Sequence, residues 1–340
     1  MLRQLFQSLL TRRKWSAFVR RTPRGGIRMR ARLELERLES REVPAVIPVT
    51  SGADSGPGTL RDAIILANAD GDEDTIQIDP SVTRIGLESS LPATFTNMNI
   101  NGPSGGLTRI EPASGRFRIF EFDFNGTAVS IANLHINGGA ADEGAAIKSW
   151  ANLTVTNCLF TGNTATESGG AIHQILAPLT VSGSTFTGNT AGTNGGGISF
   201  ESGGIQPLTV TGSTFDFNTA GVDGGAIFYE ANGEVTIDSS SFFTNSATTG
   251  NGGAINCAQC ASLSITSPPT PLFTTDMNTA GGSGGMIFAN VELSLTIDTN
   301  INGNSARGQP PTGGFLINLR PAASFSIDFA RVRDSFVLIT

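Results

Sequence analysis

From Phe160 the chain reads FTGNTATESGGAI, and close copies begin at Phe186 (FTGNTAGTNGGGI), Phe215 (FDFNTAGVDGGAI) and Phe242 (FFTNSATTGNGGAI). Two looser copies follow, in which an Asn leads to GGMI and then, one copy later, to GGFL. The Asn residues of the six copies stand at 163, 189, 218, 245, 278 and 304, so the steps are 26, 29, 27, 33 and 26 residues. Steps of this size are typical of a solenoid.

A short alternating run precedes each copy, such as Leu153-Thr-Val155 and Leu179-Thr-Val181. Alternation of β-branched and polar residues predicts a strand with one buried face. Glycine-rich turns leave no room for a crossover helix, so equivalent strands of successive units are expected to stack in parallel. The twist of strands made of L-residues favours a right-handed winding. The sequence therefore predicts an all-β protein, a right-handed parallel β-helix (solenoid).

In such a coil, equivalent residues stack at about 4.8 Å. The Phe and Ile residues of the repeat are expected to form two apolar columns, and the paired glycines to supply positive φ or close coil contact. An Asn amide has two donors and an acceptor, which suit a ladder between coils. A structural rather than catalytic role is expected for this ladder, whose members are Asn163, Asn189, Asn218, Asn245, Asn278 and Asn304.

The tandem signatures GGAI and FxxN resemble the repeat of the polymorphic outer membrane proteins, bacterial surface autotransporters with a right-handed parallel β-helix of the pectin-lyase-like fold. Four copies match closely, and two are degenerate, with Thr275 and Ile301 at the Phe position. The resemblance covers roughly half of the chain. It implies a cell-surface protein and an adhesin.

The net charge of the first 44 residues is opposite in sign to that of the rest of the chain. Residues 1–44 hold 12 Lys/Arg and 4 Asp/Glu, a net charge of +8, whereas the remainder holds 10 and 25, a net charge of −15. The stretch from Leu33 to Val46 resembles the leader of exported bacterial repeat proteins, so residues 1–44 are expected to be a targeting signal; a basic arm for nucleic acid or membrane is the alternative. The acidic body is expected to repel nucleic acid and anionic lipid.

The next segment, residues 45–75, is predicted to contain a first strand and a capping helix. Thr59 and Asp62 fit a capping box, and Leu60, Ala63 and Ile64 recur at helical spacing. Such a helix would cover the open first coil, since solenoids need capped ends. Residues 76–340 are assigned to the β-helix itself.

Three cysteines are too few for a disulfide framework. Cys158 occupies the repeat position that Ser184, Ser213 and Ser240 hold, so a small buried residue is expected there. Cys257 and Cys260 form one C-x-x-C, which is compatible with a local disulfide or with two free thiols. A zinc site would need two more ligands, and no second pair follows. No metal and no cofactor are expected.

Enzymes occur among right-handed β-helices, and the segment after each GGAI is the best candidate for a site. Lys148, His173, Glu201 and Glu230 are expected to project outward there from successive coils. Two neighbouring carboxylates at about 5 Å would suit retaining glycoside hydrolysis. Sugar platforms need aromatic surface, however, and Trp150 and Tyr229 are the only Trp and Tyr beyond the leader. The four residues therefore remain weak candidates, and no catalysis is expected.

The expected function is that of a secreted or cell-surface β-helix protein that binds a glycan or protein ligand without catalysis. A polysaccharide lyase or glycoside hydrolase is one alternative, and a structural envelope or matrix protein is another, because the fold does not fix the function. The partners expected are a cell-surface glycan or protein and no nucleic acid. No segment approaches the ~20 apolar residues of a transmembrane span.

Overall fold

The structure, a computed structural model, describes residues 45–69, 71–123, 126–257, 259–266, 275–289, 292–296, 301–302, 305–306, 315–319, 325–328 and 337–338. The predicted leader at 1–44, Asn304 of the predicted ladder and the last glycine pair at 313/314 lie outside these residues.

The described residues form one helix, α1 (Leu60–Ala67), and short strands. In chain order the strands are β1 (Val46–Val49), β2 (Asp74–Ile78), β3 (Arg84–Leu87), β4 (Met98–Asn101), β5 (Thr108–Pro112), β6 (Phe120–Phe122), β7 (Ala128–Ala132), β8 (Leu134–Asn137), β9 (Ala140–Ala141), β10 (Ile147–Ser149), β11 (Asn152–Thr156), β12 (Leu159–Thr161), β13 (Thr164–Ala165), β14 (Ile172–Ile175), β15 (Leu179–Ser182), β16 (Thr185–Thr187), β17 (Thr190–Ala191), β18 (Ile198–Glu201), β19 (Leu208–Thr211), β20 (Thr214–Asp216), β21 (Thr219–Ala220), β22 (Ile227–Glu230), β23 (Glu234–Asp238), β24 (Ser241–Phe243), β25 (Ser246–Ala247), β26 (Ile255–Cys257), β27 (Ser262–Thr266), β28 (Thr275–Asp276), β29 (Thr279–Ala280), β30 (Ile287–Ala289), β31 (Glu292–Thr296), β32 (Ile301–Asn302), β33 (Ser305–Ala306), β34 (Phe315–Leu319), β35 (Phe325–Asp328) and β36 (Val337–Leu338).

The strands form four parallel sheets that run the length of a β-solenoid. Sheet A has the order β1-β2-β4-β7-β11-β15-β19-β23-β27-β31-β35, and sheet B the order β3-β5-β8-β12-β16-β20-β24-β28-β32. Sheet C has the order β6-β10-β14-β18-β22-β26-β30-β34-β36, and sheet D the order β9-β13-β17-β21-β25-β29-β33. A regular coil contributes one strand to each sheet, so each strand pairs with its equivalents one repeat earlier and one repeat later. The predicted all-β parallel solenoid is confirmed.

The first strand belongs to the solenoid, which differs from the predicted boundary at residue 76. Strand β1 pairs in parallel with β2, with Val46 opposite Thr75 and Val49 opposite Ile78. The alternating apolar residues of β1 match those of β2, so β1 forms the first member of sheet A. Helix α1 is inserted between these two strands in the chain.

Helix α1 begins where the sequence predicts. The Thr59 side chain accepts a hydrogen bond from the backbone N of Asp62 at 3.2 Å, which is one half of a capping box. The Asp62 carboxylate accepts from the backbone N of Gly58 at 3.1 Å instead of from Thr59, because Thr59 N bonds to Gly56. Leu60 and Ile64 are fully buried on the helix face that packs against β1 and β2. The role of the helix as a cap stays a prediction.

The glycine pairs have two separate tasks. The first glycine of each pair has positive φ, for example 65° at Gly195 and at Gly224. The second glycine lies against the next coil, and a Cβ on Gly196 would stand 2.3 Å from the carbonyl oxygen of Gly225. Any side chain there would force the coils apart, so both expected reasons for glycine apply, one at each position.

Identical apolar side chains stack in the core. The rings of Phe160 and Phe186 lie 4.5 Å apart at their centroids, those of Phe186 and Phe215 4.7 Å, and those of Phe215 and Phe242 5.0 Å, all nearly parallel. The repeat Ile residues form a second column through the register of sheet C. All four Phe side chains are fully buried.

Candidate functional site

The predicted Asn side chains at 163, 189, 218, 245 and 278 form one fully buried column. At each of the four steps from Asn163 to Asn278, Nδ2 of one Asn donates to Oδ1 of the next, at 2.9 Å from Asn163 to Asn189 and 3.0 Å from Asn218 to Asn245. The same Nδ2 also donates to a backbone carbonyl of the preceding coil, as Asn218 does to Phe186 at 2.9 Å. Because every donor and acceptor is used internally, this ladder offers no group to a ligand.

A hydroxyl ladder runs beside it. The backbone N of Ser184 donates to Oγ of Ser213 at 3.1 Å, and the backbone N of Ser213 to Oγ of Ser240 at 3.1 Å. Cys158 continues this column, and its thiol contacts the Thr156 carbonyl at 3.3 Å. Burial raises the pKa of the Cys158 thiol to about 12.

Cys257 and Cys260 are joined by a disulfide. Both residues are buried, so this bond closes a short local loop inside the coil and presents no thiol to the surface.

Sheet C carries the four weak candidates in two columns. Lys148 pairs with His173, and His173 pairs with Ser199. Glu201 pairs with Glu230 in the second column, two residues further along each strand. The second column therefore places two carboxylates on adjacent strands, about 4.8 Å apart at the backbone.

His173 does not project into solvent as expected, since only 2% of it is exposed. The turns that precede the strands fold back over this face. A Cβ on Gly144 would stand 3.0 Å from Cβ of His173, and a Cβ on Gly169 would stand 2.9 Å from it. Glycine at these two turns lets the backbone cover the imidazole.

The covered imidazole lies between two carboxylates. Nδ1 of His173 is 3.4 Å from Oε2 of Glu143, and Nε2 is 3.5 Å from Oε1 of Glu201. Neither nitrogen makes a hydrogen bond within the described residues. Glu143 also pairs with Nζ of Lys148 at 2.7 Å, and this Nζ stands 4.9 Å from the centroid of the Trp150 ring. We call Glu143, Lys148, Trp150, His173, Ser199, Glu201 and Glu230 the sheet C cluster.

Glu201 is held in its ionised form. The His173 ring contributes most to a pKa of Glu201 below its usual value, partial burial opposes it, and the hydroxyl of Ser199, which donates to Oε1 at 3.2 Å, adds to the lowering. Oε1 of Glu230 accepts a hydrogen bond from Gln259 at 2.9 Å. Glu201 is thus suited to accept hydrogen bonds and unsuited to donate a proton.

The two aromatic residues considered for a sugar platform differ. Tyr229 is fully buried, stacks on Phe200 at 4.8 Å, donates its hydroxyl hydrogen to the Gln206 carbonyl, and has a pKa that burial raises to about 12. Trp150 is half-buried on the outer surface. Only Trp150 of this pair can contact a ligand.

Glu143 and Ser199 were missed by sequence reasoning. The segment EGAAI that ends at Ile147 aligns with SGGAI that ends at Ile172, and this alignment places Glu143 at the turn position of Ser168. Ser199 follows the repeat Ile by one residue, as Lys148 and His173 do. Extending the repeat one unit back would have placed all of them on one sheet.

Sheet B carries a second polar network that the sequence analysis did not identify. Arg84 pairs with Arg109, and Arg109 with His135, on β3, β5 and β8. Nε of Arg84 is 2.6 Å from Oε1 of Glu111, and Nε of Arg109 is 2.7 Å from Oε2 of the same carboxylate. The signal was an Arg-Ile, Arg-Ile, His-Ile series at steps of 25 and 26 residues.

Within the described part of the chain, no three His, Cys, Asp or Glu side chains are grouped so as to hold a metal ion. The same residues include no helix long and apolar enough to span a bilayer.

Comparison with known families gives one match. Residues 85–267 match a family described as a right handed beta helix region. This match covers more than half of the 340 residues and includes the sheet C cluster and most of the sheet B network. Among curated proteins, no match to the chain was found.

Proposed function

The chain belongs to the right-handed β-helix family, and we propose that it is a secreted or cell-surface bacterial protein that binds a glycan or protein ligand without transforming it. The repeat, which resembles that of the polymorphic outer membrane proteins, supports surface display and a role as an adhesin. The basic leader at 1–44 supports export. Family membership by itself gives the fold, so the argument for binding comes from the sheet C cluster.

The observation that carries the proposal is the acceptor column of Glu201 and Glu230. Their carboxylates lie on adjacent strands, each partly exposed, and Glu201 is ionised. Paired carboxylates accept hydrogen bonds from the hydroxyl groups of a sugar, and such charge-assisted bonds are stronger than neutral ones. Trp150 adds an apolar ring on the same sheet face, of the kind that packs against a sugar ring.

The lowered pKa of Glu201 supports binding rather than hydrolysis. A glycosidase needs one carboxylic acid that keeps its proton near neutral pH, which requires a raised pKa. In the sheet C cluster Lys148 forms an ion pair with Glu143, and the His173 ring lies between Glu143 and Glu201. This arrangement stabilises the ionised form of Glu201, which supports a role for it as a hydrogen-bond acceptor.

The test is a glycan array probed with the purified chain and with E201Q/E230Q. We expect the wild-type chain to bind a subset of glycans and the double variant to lose at least about tenfold in affinity. The control is E234Q, because Glu234 is an exposed glutamate at the start of β23, outside the acceptor column, and its replacement removes one negative charge, as E201Q alone does. Equal loss in E234Q, or no glycan bound, would contradict the proposal.

A glycoside hydrolase is the second candidate, because Glu201 and Glu230 stand opposite each other in register. The bound glycans are incubated with the chain, and new reducing ends are measured. We expect none. Turnover that disappears in E201Q would replace the binding proposal with the hydrolase.

Display outside the cell is tested independently of any ligand. Intact cells are treated with a protease that cannot cross the envelope, and the chain is followed with an antibody. We expect the chain to be cleaved on intact cells while a cytoplasmic control protein is spared. If cleavage requires lysis, the surface assignment is wrong. Cleavage without any glycan or protein ligand would favour the envelope or matrix alternative.

A further inference from the structure

Positive charge is unevenly distributed along the solenoid. Lys and Arg are absent from residues 149–306, a segment that contains ten Asp and Glu. Of the six basic side chains between residues 45 and 148, three are largely covered: Arg61, Arg118 and Lys148 have side chains only 16%, 14% and 16% exposed, and all three take part in ion pairs. Arg84 and Arg109 differ, since their side chains are 60% and 46% exposed.

A single carboxylate holds these two arginines side by side. Oε1 of Glu111 accepts a hydrogen bond from Nε of Arg84 at 2.6 Å, and Oε2 forms an ion pair with Nε of Arg109 at 2.7 Å. Glu111 is 12% exposed, and although its partial burial opposes ionisation, the hydrogen bond from Arg84 and the charges of both arginines keep its pKa below the usual value. Two positive charges face one negative charge, so the group keeps a net charge of about +1.

Most donors of both guanidinium groups remain free. A guanidinium has five N–H donors, and within the described residues only Nε of Arg84 and of Arg109 has a partner. The two guanidinium groups with their free terminal nitrogens belong to residues that pair on adjacent strands of sheet B. Guanidinium groups present several N–H donors in one plane, a geometry that suits the oxygens of a carboxylate or sulfate group.

The carboxylate that clamps the arginines is itself fixed by a hydrogen-bonded chain across three strands. Asn137 donates from Nδ2 to Oε2 of Glu111 at 3.0 Å, and Thr161 donates to Oδ1 of Asn137 at 2.6 Å. Nε2 of His135 lies 2.7 Å from the hydroxyl oxygen of Thr161. Burial and the charge of Arg109 lower the pKa of His135, which favours the neutral imidazole in this chain. Because this hydrogen-bonded chain fixes Glu111, and Glu111 holds the two arginines, less side-chain conformational entropy is lost when a ligand binds to them.

We propose that Arg84 and Arg109 form a binding site for one oxyanion, a carboxylate or a sulfate ester, carried by an otherwise uncharged glycan. The acidic coils that follow repel a ligand with many negative charges, which disfavours nucleic acid and densely charged polymers. The inference takes the glycan as carrier from the proposed function. The site itself lies on sheet B, on a different sheet from the Glu201 and Glu230 column.

The test measures the affinity of the chain for charged and uncharged glycans by calorimetry in about 50 mM salt. The charged ligands are xylo-oligosaccharides with one uronate and galacto-oligosaccharides with one sulfate ester, and each is compared with its uncharged parent. The wild-type chain is expected to prefer at least one charged form by about tenfold or more over its parent, and to lose this preference as salt increases. Preference for the uronate or for the sulfate ester identifies the source of the oxyanion.

The variant R84Q/R109Q is expected to bind charged and uncharged forms equally. R116Q is the control, because Arg116 is also exposed and its replacement removes one positive charge elsewhere, as R84Q alone does at the site; R116Q should keep the preference. If the double variant has a lowered melting temperature, R84Q alone replaces it, because this variant keeps the ion pair between Arg109 and Glu111. R84Q should reduce the preference for the charged form about threefold.

The inference is overturned if the preference survives R84Q/R109Q, if R116Q abolishes it equally, or if no charged form is preferred at about 10 mM ligand. A chain that binds the uncharged parents and ignores the charge overturns this site and leaves the proposed function in place. A chain that binds none of the uncharged parents but prefers a charged form through Arg84 and Arg109 supports this site alone.

Discussion

Oδ1 of Asn218 accepts two hydrogen bonds from Asn189, one from the side-chain Nδ2 at 2.9 Å and one from the backbone N at 3.1 Å. Replacement of Asn218 by Ala leaves both donors buried without a partner, together with the Phe186 carbonyl. We expect Asn218→Ala to lower the free energy of unfolding by about 1–3 kcal/mol. Urea unfolding of the wild-type protein and of the variant measures this difference.

Thr219→Ala is the control for this loss, because Thr219 follows directly and is only partly buried. It should change the free energy of unfolding by less than about 0.5 kcal/mol. Equal losses in the two variants would mean that the amide column does not hold adjacent coils together.

Phe215→Ala opens a cavity between two parallel rings. Phe215 is fully buried and stacks on Phe186 at 4.7 Å and on Phe242 at 5.0 Å. The loss of transfer free energy and the cavity together should cost about 3–5 kcal/mol. Thermal unfolding followed by circular dichroism gives the value, and a cost below about 1 kcal/mol would show that the coils close around the gap.

Phe217→Gly should stabilise the protein. Phe217 is 59% exposed, and its backbone φ of 53° lies in the left-handed region, where Gly162 and Gly188 stand at 61° and 64° in the preceding coils. Glycine removes a conformational penalty of about 1–2 kcal/mol, partly offset by its greater freedom in the unfolded chain. The melting temperature should rise, while Gly188→Ala should lower it. A lower melting temperature in Phe217→Gly would contradict the strain argument.

Cys158 should be chemically silent in the native protein. Burial raises its pKa to about 12, and the other two cysteines are joined to each other. A thiol reagent at neutral pH should therefore label the native chain at no more than trace level, label one thiol in denaturant, and label three after added reductant. Fast labelling of the native chain at Cys158 would contradict its burial.

The stability contributed by Glu201 should depend on pH in one direction. Its folded pKa is lowered from the usual 4.5, so the unfolded state takes up a proton first. The contribution is complete above that usual value and is lost as pH falls through the folded pKa. The stability difference between the wild-type chain and Glu201→Gln should be constant at about pH 6 and shrink below about pH 4. Its size should be small, because the side chain is 38% exposed.

The repeated part of the fold was predictable because the same residue types recur at the same position. Phe186 and Asn189, for example, have partners of their own kind in the coils on both sides, so spacing alone indicates the column. The glycine pair was predictable because it also recurs at the same position in each unit. The structure explains the recurrence, since a Cβ on the second glycine would overlap with the backbone of the next coil.

The site was less predictable because it depends on the turns. The burial of His173 comes from backbone that folds back at Gly144 and Gly169, and its partner Glu143 occurs in a coil that has no close copy. The arginine pair lies in the irregular first coils, where Arg84 and Arg109 share only a following Ile with the later units. Residues that occur in only one coil have no equivalents in other units from which their role could be predicted.

The Asn column also determines how this protein can change in length. Each coil makes the same bonds to the coil above and to the coil below, so a whole inserted unit would find its partners ready, whereas one residue inserted between Phe215 and Asn218 would misplace the amide. The steps between successive members vary, at 26, 29, 27 and 33 residues, whereas the Phe-x-x-Asn spacing is the same in all four close copies, so the excess length lies away from this corner. The duplication or loss of single units would therefore alter the reach of the molecule in increments of about 4.8 Å, with both ends and the Arg84 region left as they are.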